Sequence, residues 1–566
     1  MDDLKSYLES LYGDKSEMIS SEIQACLQQY PCNDNPFPNP LWYKSINLYV
    51  VYPDGVASGE GSPLSRLIPY LAHVKQLGCN AIHILPFLDS PLVDAGFDIS
   101  DYMKIRPDLG NMDDLRQLIT EARNIGIYLF MDMVANHVSE EHAWFQKAQS
   151  GDEKYRNYFI FQKEEPQFIK TFHKASAVWA RYLVNEKQKD VNIAFPEQAG
   201  AIPHWREGKD HYWYYHTYYP QQLDLNWHNP DVFIEFAKIV IHWASMGFNF
   251  RLDALPFVGK GAYKKTDEET MFASRLAVAY NYIGEFINPE CVTIAESYEK
   301  IATVTKYFGT SNVQKSQLAY NFHLCTYIWI ALVKGDVHYI WKKLNELGNI
   351  PIHAEWINFL RNHDELSLAY VREPLLTEIK EALMKHGEPF REGYGISGRT
   401  RSLLGGSEER LVNAYFLLAC LPGSILVPYG DEMGKENIPF AALPQRLRED
   451  TRNINRGSIS LDDLTSPADK RVQDMISEIL NMKQRFREYL NILPQRLPSP
   501  RSVFAAVYKF GVSELVVLVN ITGKTQKVDA PAHEYSNYKK ILAVQKCDYR
   551  KDQIILSPYA GIVLQK

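Results

Sequence analysis

Four segments of this chain run apolar and strand-like until their last residues, then end in side chains that carry chemistry. Asp132, Asn136 and His137 close IYLFMDMVANH, Arg251 and Asp253 close FNFRLDA, Glu296 lies at the end of VTIAES, and His363 with Asp364 closes WINFLRNHD. In an extended chain alternate side chains share a face, so Asn249, Arg251 and Asp253 point one way and Phe248, Phe250 and Leu252 the other. An arginine and a carboxylate carried into an apolar strand need partners, because an unpaired buried charge is expensive. Singly, a strand-end carboxylate is explained by a helix cap or a salt bridge, and a lone histidine by a structural hydrogen bond. Jointly they would converge if the strands lie side by side. Three carboxylates around one pocket, Asp253, Glu296 and Asp364, suit the cleavage of a bond between sugars. That reaction needs one anion, one protonated acid and negative charge facing an oxocarbenium-like transition state. Arg251 beside Asp253 is expected to hold that carboxylate ionised. Glu296, among Ile294, Ala295 and Ser297 and near negative charge, is expected to titrate high and act as the acid.

The elements that would position these residues are legible as alternation. Strand-like runs begin at 46 (INLYVVY), 81 (AIHILPF), 127 (IYLFMDMV), 248 (FNFRLDA), 292 (VTIAES), 318 (LAYNF), 356 (WINFLRN) and 424 (SILVPYG). Between them lie segments of helical periodicity, such as 64–78, 112–126 and 230–247, the last two ending on Gly126 and Gly247 as helix stops. Eight strands with helical crossovers predict a (β/α)8 TIM barrel over 42–137 and 229–494, with the charged residues at the C-terminal ends of its strands. Residues 138–228, polar and aromatic and too long for a connection, read as a domain inserted after the third strand. Its WYYHTYY run (213–219) reads as core and rim of that insert, with stacking on a sugar as the alternative. A second insertion, 365–410, contains GISGRTRS and reads as a pocket lid with arginines. Residues 495–566 alternate between strands and turns, predicting a C-terminal all-β sandwich. Residues 1–41 read as a helical extension ending in the proline-spaced linker NPFPNPLW.

Composition narrows the partners. The chain has 566 residues, 46% hydrophobic, with a formal charge of -7, which gives no electrostatic footprint for nucleic acid or an acidic membrane. No apolar run is long enough to span a bilayer and no export signal is visible. Seven cysteines without ligand-like spacing read as reduced thiols of a cytoplasmic protein. The oligomeric state is not encoded legibly.

MDMVANH, GFNFRLDA, IAES and FLRNHD resemble, in order and spacing, the four signature segments of the α-amylase superfamily of retaining glycoside hydrolases and transglycosylases. The resemblance covers roughly residues 42–566 and implies the same barrel, inserted domain and C-terminal sandwich. It implies Asp253 as nucleophile, Glu296 as acid/base and Asp364 as the residue that distorts the sugar and stabilises the transition state. His137, Arg251 and His363 would bind the reacting glucose. Within the family, QLDLN (222–226) resembles members acting on short α-glucosides, and 142–161, EWINFLRNHDEL and GDEMG resemble trehalose synthase and amylosucrase. In VDAGFD, Phe97 takes the place of a tyrosine that stacks on glucose, and Asp98 that of an acid gripping its hydroxyls. EDTRNINRG resembles a segment whose arginine closes the pocket, implying an Arg452–Asp94 pair and attack on a terminal glucose only. The family's calcium site uses a histidine where this chain has Phe257, and PDGVASGEGSP is sparse in carboxylates, so no metal and no cofactor are expected. The expected substrate is sucrose, maltose, trehalose or a short maltooligosaccharide, attacked through a covalent glucosyl-aspartate. Isomerisation, glucan synthesis and phosphorolysis are the alternatives among enzymes, and an inactive binding or scaffold subunit is the alternative of another class.

Overall fold

The computed structural model describes residues 2–566 except 31–40, 45, 58, 175–176, 264–266, 311–312, 530–537 and 551–552, so most of the expected linker and Cys32 lie outside the described residues. All eight expected strands form and close on one another. In chain order they are β1 (Asn47–Val51), β2 (Ala81–Ile84), β3 (Tyr128–Val134), β4 (Phe248–Asp253), β5 (Thr293–Ala295), β6 (Leu318–Tyr320), β7 (Glu355–Asn358) and β8 (Ser424–Pro428). Each pairs in parallel with the next and β8 returns to β1, a (β/α)8 barrel. Every β4 residue is buried, as expected of a strand packed on both faces.

Local sequence explains the crossovers. The helices Pro63–Gln76, Met112–Asn124 and Pro230–Ser245 start at Ser62, Asn111 and Asn229, whose side chains accept backbone amides, and Asn111 with Asp114 forms a reciprocal capping box. Two of them hand over to the next strand through Gly126 and Gly247, at φ 67° and 96°.

The register places the chemistry. Arg251 of β4 is opposite Asp132 of β3, and Leu252 is opposite Ala295 of β5, which brings the next residues, Asp253 and Glu296, to the same rim. Between β3 and the helix Pro230–Ser245 the chain builds two three-stranded antiparallel sheets and a two-stranded one. The hairpin Val178–Val184 and Lys187–Ile193 belongs to the first of these. After β7 it builds another antiparallel sheet from Leu366–Ser367, Glu388–Phe390 and Gly395–Ser397. The C-terminal region is all β, a five-stranded and a three-stranded sheet with their own apolar core around Val503, Leu518 and Ile562. At the other end, helices Asp2–Tyr12 and Ser16–Leu27 lie on the barrel's outer helices, where the Tyr12 hydroxyl donates to the Trp227 carbonyl at 3.0 Å.

Gly423, immediately before β8, has φ 112°, and a Cβ there would sit 2.7 Å from the Trp356 carbonyl and 2.8 Å from Asn358 Nδ2. Gly423→Ala is therefore expected to destabilise the barrel by more than about 1 kcal/mol, read as a fall in the urea midpoint.

Candidate active site

Arg251 is 1% exposed and lies at the C-terminal mouth of the barrel among three carboxylates. Its Nη1 is 2.7 Å from Asp132 Oδ1 and also pairs with Asp253, while Nη2 pairs with Glu296. Asp132 is braced from behind by His83 Nε2 at 2.9 Å. Glu296 also accepts the Ala254 amide at 3.0 Å, an amide aimed there because Ala254 adopts the left-handed φ of 47° directly after β4. The guanidinium carbon lies 5.5 Å from the centroid of the Phe97 ring, whose own ring stacks on His363 at 5.2 Å and 11°.

A second arginine closes the opposite wall. Arg452 Nη2 reaches Asp94 at 2.8 Å, the pairing expected from sequence, and the same guanidinium also binds Asp450 at 2.8 Å and Asp364 at 3.0 Å. Its faces are covered by Phe195 and Phe390, at 4.8 and 4.7 Å from the ring centroids. Gln222, the first residue of QLDLN, donates to Asp94 at 3.1 Å and fixes it for this contact.

Between the two arginines opens a cavity of about 540 Å³. Of the residues singled out from sequence, Asp94, Phe97, His137, Arg251, Asp253, Glu296, Asp364 and Arg452 line it. Asp98 and His363 do not. The Asp98 carboxylate is fully buried and accepts from the Ser90 hydroxyl (2.9 Å) and the amides of Val93 (2.8 Å) and Asp94 (3.1 Å), so it shapes the loop that presents Asp94 and Phe97. His363 backs the wall, with Nε2 3.2 Å from Asp364 Oδ2. The expected lid arginines are elsewhere too. Arg399 donates to the carbonyls of Tyr429 and Gly457, and Arg401 to those of Gly406 and Gly434, whereas Arg391 of the same insertion does line the cavity.

Sequence reasoning missed part of the wall. Trp179, Asn192 and Phe195 come from the inserted segment, Tyr298 and Glu299 follow Glu296, and Glu365 follows Asp364. The last three had a signal in their adjacency to the carboxylates; the insert offered none beyond its aromatic content. From WYYHTYY, Tyr214 is core, while Tyr215, Thr217 and Tyr218 reach the cavity. Lys260 was also missed. Its Nζ is 3.0 Å from Asn136 Oδ1 and 3.4 Å from the Phe257 carbonyl, and it pairs with the buried Asp224. An ammonium thus occupies the oxygen cage at the base of the insert. Among the described residues no group of three or more His, Cys, Asp or Glu side chains could hold a metal ion.

Comparison with known proteins decides the family. The model of the α-amylase catalytic domain matches residues 51–372, more than half of the chain. The chain belongs to the α-amylase family. Trehalose synthase of Thermus thermophilus is 34% identical over 71% of this chain and 40% of its own length. Trehalose synthase/amylase of Mycobacterium tuberculosis is 31% identical over 71% of this chain and 64% of its own length. The chain therefore spans between two fifths and two thirds of these relatives. Among solved structures, the α-amylase of H. orenii superposes with a TM-score of 0.69 at 18% identity, covering 92% of this chain and 99% of that one. Isomaltulose synthase of Klebsiella sp. LX3 superposes at 0.68 and 18% identity, covering 94% and 100%.

In this member of the α-amylase family the electrostatics depart from the expected division of labour. Burial pushes the Asp253 carboxyl well above the usual range, and Glu296 and Asp132 add to that push, so the opposing Arg251 does not hold it low. Burial raises Glu296 as well, with Arg251 opposing and Asp364 adding to the rise. With three carboxylates around one guanidinium, one proton belongs to the Asp253–Glu296 pair rather than to either residue. Asp364 goes the other way: burial opposes its charge, but His363, Arg452 and Arg456 outweigh burial and keep it well below the carboxylate range. Because burial takes His363 down to about 3, the two arginines are the cations that act near neutrality. Burial raises Asp98 to about 6 despite its two amide donors.

The shared proton sets a pH prediction. Both members of the pair titrate above the ordinary carboxylate range, so the shared proton leaves at a higher pH than it would from a free carboxyl. Turnover of a p-nitrophenyl α-glucoside is expected to show an alkaline limb that Glu296→Gln removes. Lys260→Gln leaves the buried Asp224 without its cation. A loss of about 3–5 kcal/mol is expected, read as a fall in the urea midpoint that added calcium does not reverse, with wild-type turnover unchanged by a chelator.

Proposed function

We propose that this enzyme is a retaining α-glucosyl hydrolase or transglucosidase acting on the terminal glucose of a short neutral α-glucoside. The observation that carries the reading is the pairing of two arginines across one hollow. Arg251 joins Asp253 to Glu296, and Arg452 joins Asp364 to Asp94 and seals the wall behind them. A sealed wall leaves room for one terminal ring and excludes a chain passing through.

In the first step the Asp253 carboxylate attacks the anomeric carbon and the glycosidic carbon–oxygen bond breaks. Glu296 gives its proton to the departing oxygen, and an ester joins glucose to Asp253. The glycosidic oxygen placed beside Glu296 draws the shared proton onto that residue and leaves Asp253 as the anion. In the second step Glu296 takes a proton from water or from a sugar hydroxyl, whose oxygen attacks the anomeric carbon as the ester bond breaks. Asp364, held anionic by Arg452 and Arg456, faces the positive charge that develops on the ring in both steps. Phe97 and His137 line the same hollow and would contact the ring.

The substrates named here, sucrose, maltose, trehalose and short maltooligosaccharides, agree with relatives whose names contain trehalose synthase and maltase. Isomerisation or glucan synthesis is the second reading. It is favoured by a cavity of about 540 Å³ that Trp179, Asn192 and Tyr263 also line, room in which a detached sugar could be kept. Phosphorolysis has less support, since Arg391 is paired with Glu365 and Arg399 and Arg401 are engaged by carbonyls. A binding-only role would leave the anomeric-facing carboxylates without a use.

Incubation with sucrose, maltose and trehalose separately, followed by chromatography, is expected to show release or transfer of glucose from at least one of them. Long maltooligosaccharides are expected to lose glucose only from an end. Asp253→Asn is expected to abolish turnover at an unchanged unfolding midpoint. Glu296→Gln is expected to lose about 10²- to 10⁴-fold on sugars and to recover with azide when the leaving group is p-nitrophenol. Wild-type rate in Asp253→Asn would overturn the reading.

A further inference from the structure

Three consecutive residues of the insertion after β7 face three different ways, and the middle one lines the cavity. Phe390 lies on the guanidinium of Arg452 at 4.7 Å and against Phe195 at 5.2 Å, at the sealed side. Arg391 lines the cavity 3.5 Å from Glu365, with its charge felt by the phenol of Tyr298, two residues past Glu296. Glu392 turns outward to the segment inserted after β3. Its amide donates to Glu197, its carboxylate lies 3.3 Å from His173 Nε2, and its carbonyl accepts from Lys380 at 3.2 Å. Tyr394 continues the strap, its hydroxyl 3.4 Å from His173 Nδ1.

The backbone here is held in an unfavourable shape. Arg391 and Glu392 both adopt left-handed φ values, 54° and 53°, which side-chain-bearing residues avoid. The next residue, Gly393, also has a left-handed φ, 82°, which strains any side chain placed there. The exposed contacts of Glu392 are individually weak. They act together to hold a turn whose geometry aims one guanidinium into the cavity and cannot be kept by local preference.

We propose that Arg391 is the residue that holds the leaving or accepting sugar, with Glu392 as the positioning residue that fixes it. This rests on the reading of Glu296 as the acid/base. The sugar that departs from Glu296 meets Tyr298, Glu299, Glu365 and Arg391, and Arg391 is the group on that side able to donate several hydrogen bonds from a fixed fork to vicinal hydroxyls. Glu365 neutralises it, so a neutral sugar is favoured there over a sugar phosphate.

The test compares kcat/KM for a disaccharide substrate with kcat/KM for p-nitrophenyl α-glucoside, whose leaving group offers no vicinal hydroxyls. In Arg391→Ala the ratio of the two is expected to fall about tenfold or more, the size of one lost charge-assisted hydrogen bond. Arg391→Lys is expected to recover part of it. Arg391→Gly separates side chain from backbone. It relieves the left-handed strain, yet it is expected to match Arg391→Ala. Glu392→Gln is expected to lower the ratio in the same direction by a smaller factor and to speed hydrogen exchange at 391–394. A ratio unchanged in Arg391→Ala, or restored in Arg391→Gly, overturns the proposal. Failure of the wild type to turn over the aryl glucoside instead overturns the underlying reading of the site.

Discussion

Burying a guanidinium at the mouth of a barrel demands anions within hydrogen-bond reach, and Arg251 has three, each from a different position on the rim. Asp132 lies directly across the β3–β4 register, Asp253 is two residues on along β4, and Glu296 follows β5. None of these contacts is local in the sequence sense except that with Asp253. The barrel has to close in register before the arginine is satisfied, so the charge that organises the site also penalises any slipped pairing of β3, β4 and β5. His83 on β2 extends the chain of contacts to a fourth strand through Asp132.

That arrangement has a cost that the fold absorbs elsewhere. One cation cannot neutralise three carboxylates, and burial, with the uncompensated negative charge adding to it, raises the titration of Asp253 and Glu296. A site built for stability alone would replace one of the acids. Its retention makes chemical sense because a pair that shares a proton already holds both forms the reaction needs, an anion and an acid, and substrate position decides which residue carries which.

Much of this was legible in the sequence because it depends on short-range pattern. All eight barrel strands were readable as apolar runs between helical segments, and Ser62, Asn111 and Asn229 mark helix starts by side-chain type alone. The residues closing β3, β4, β5 and β7 were readable because charges stand out against apolar runs. What was not legible is whatever depends on distant contacts. Whether Asp98 faces a ligand or its own loop is set by the fold of residues 90–94, and whether Arg391 or Arg399 reaches the cavity is set by which of them finds a carbonyl partner first. Local spacing also misled over Asp253, since proximity to Arg251 is visible in FNFRLDA while the burial that outweighs it is not.

The two ends of the hollow repeat one charge pattern. Arg251 faces Asp132, Asp253 and Glu296, and Arg452 faces Asp94, Asp364 and Asp450, with Arg456 3.3 Å from Asp450 behind it. In each group the carboxylates outnumber the guanidinium they surround most closely, and the arginines fix the acids in place without cancelling them. The field between the groups is therefore negative and pre-oriented, and it does not have to reorganise when positive charge develops on a sugar ring lodged there. Freely hydrated carboxylates would meet that charge with solvent rearrangement, and a fully neutralised set would offer it nothing. Rigid, incompletely compensated negative charge is the property that links the depth of burial of two arginines to the chemistry of the cavity between them.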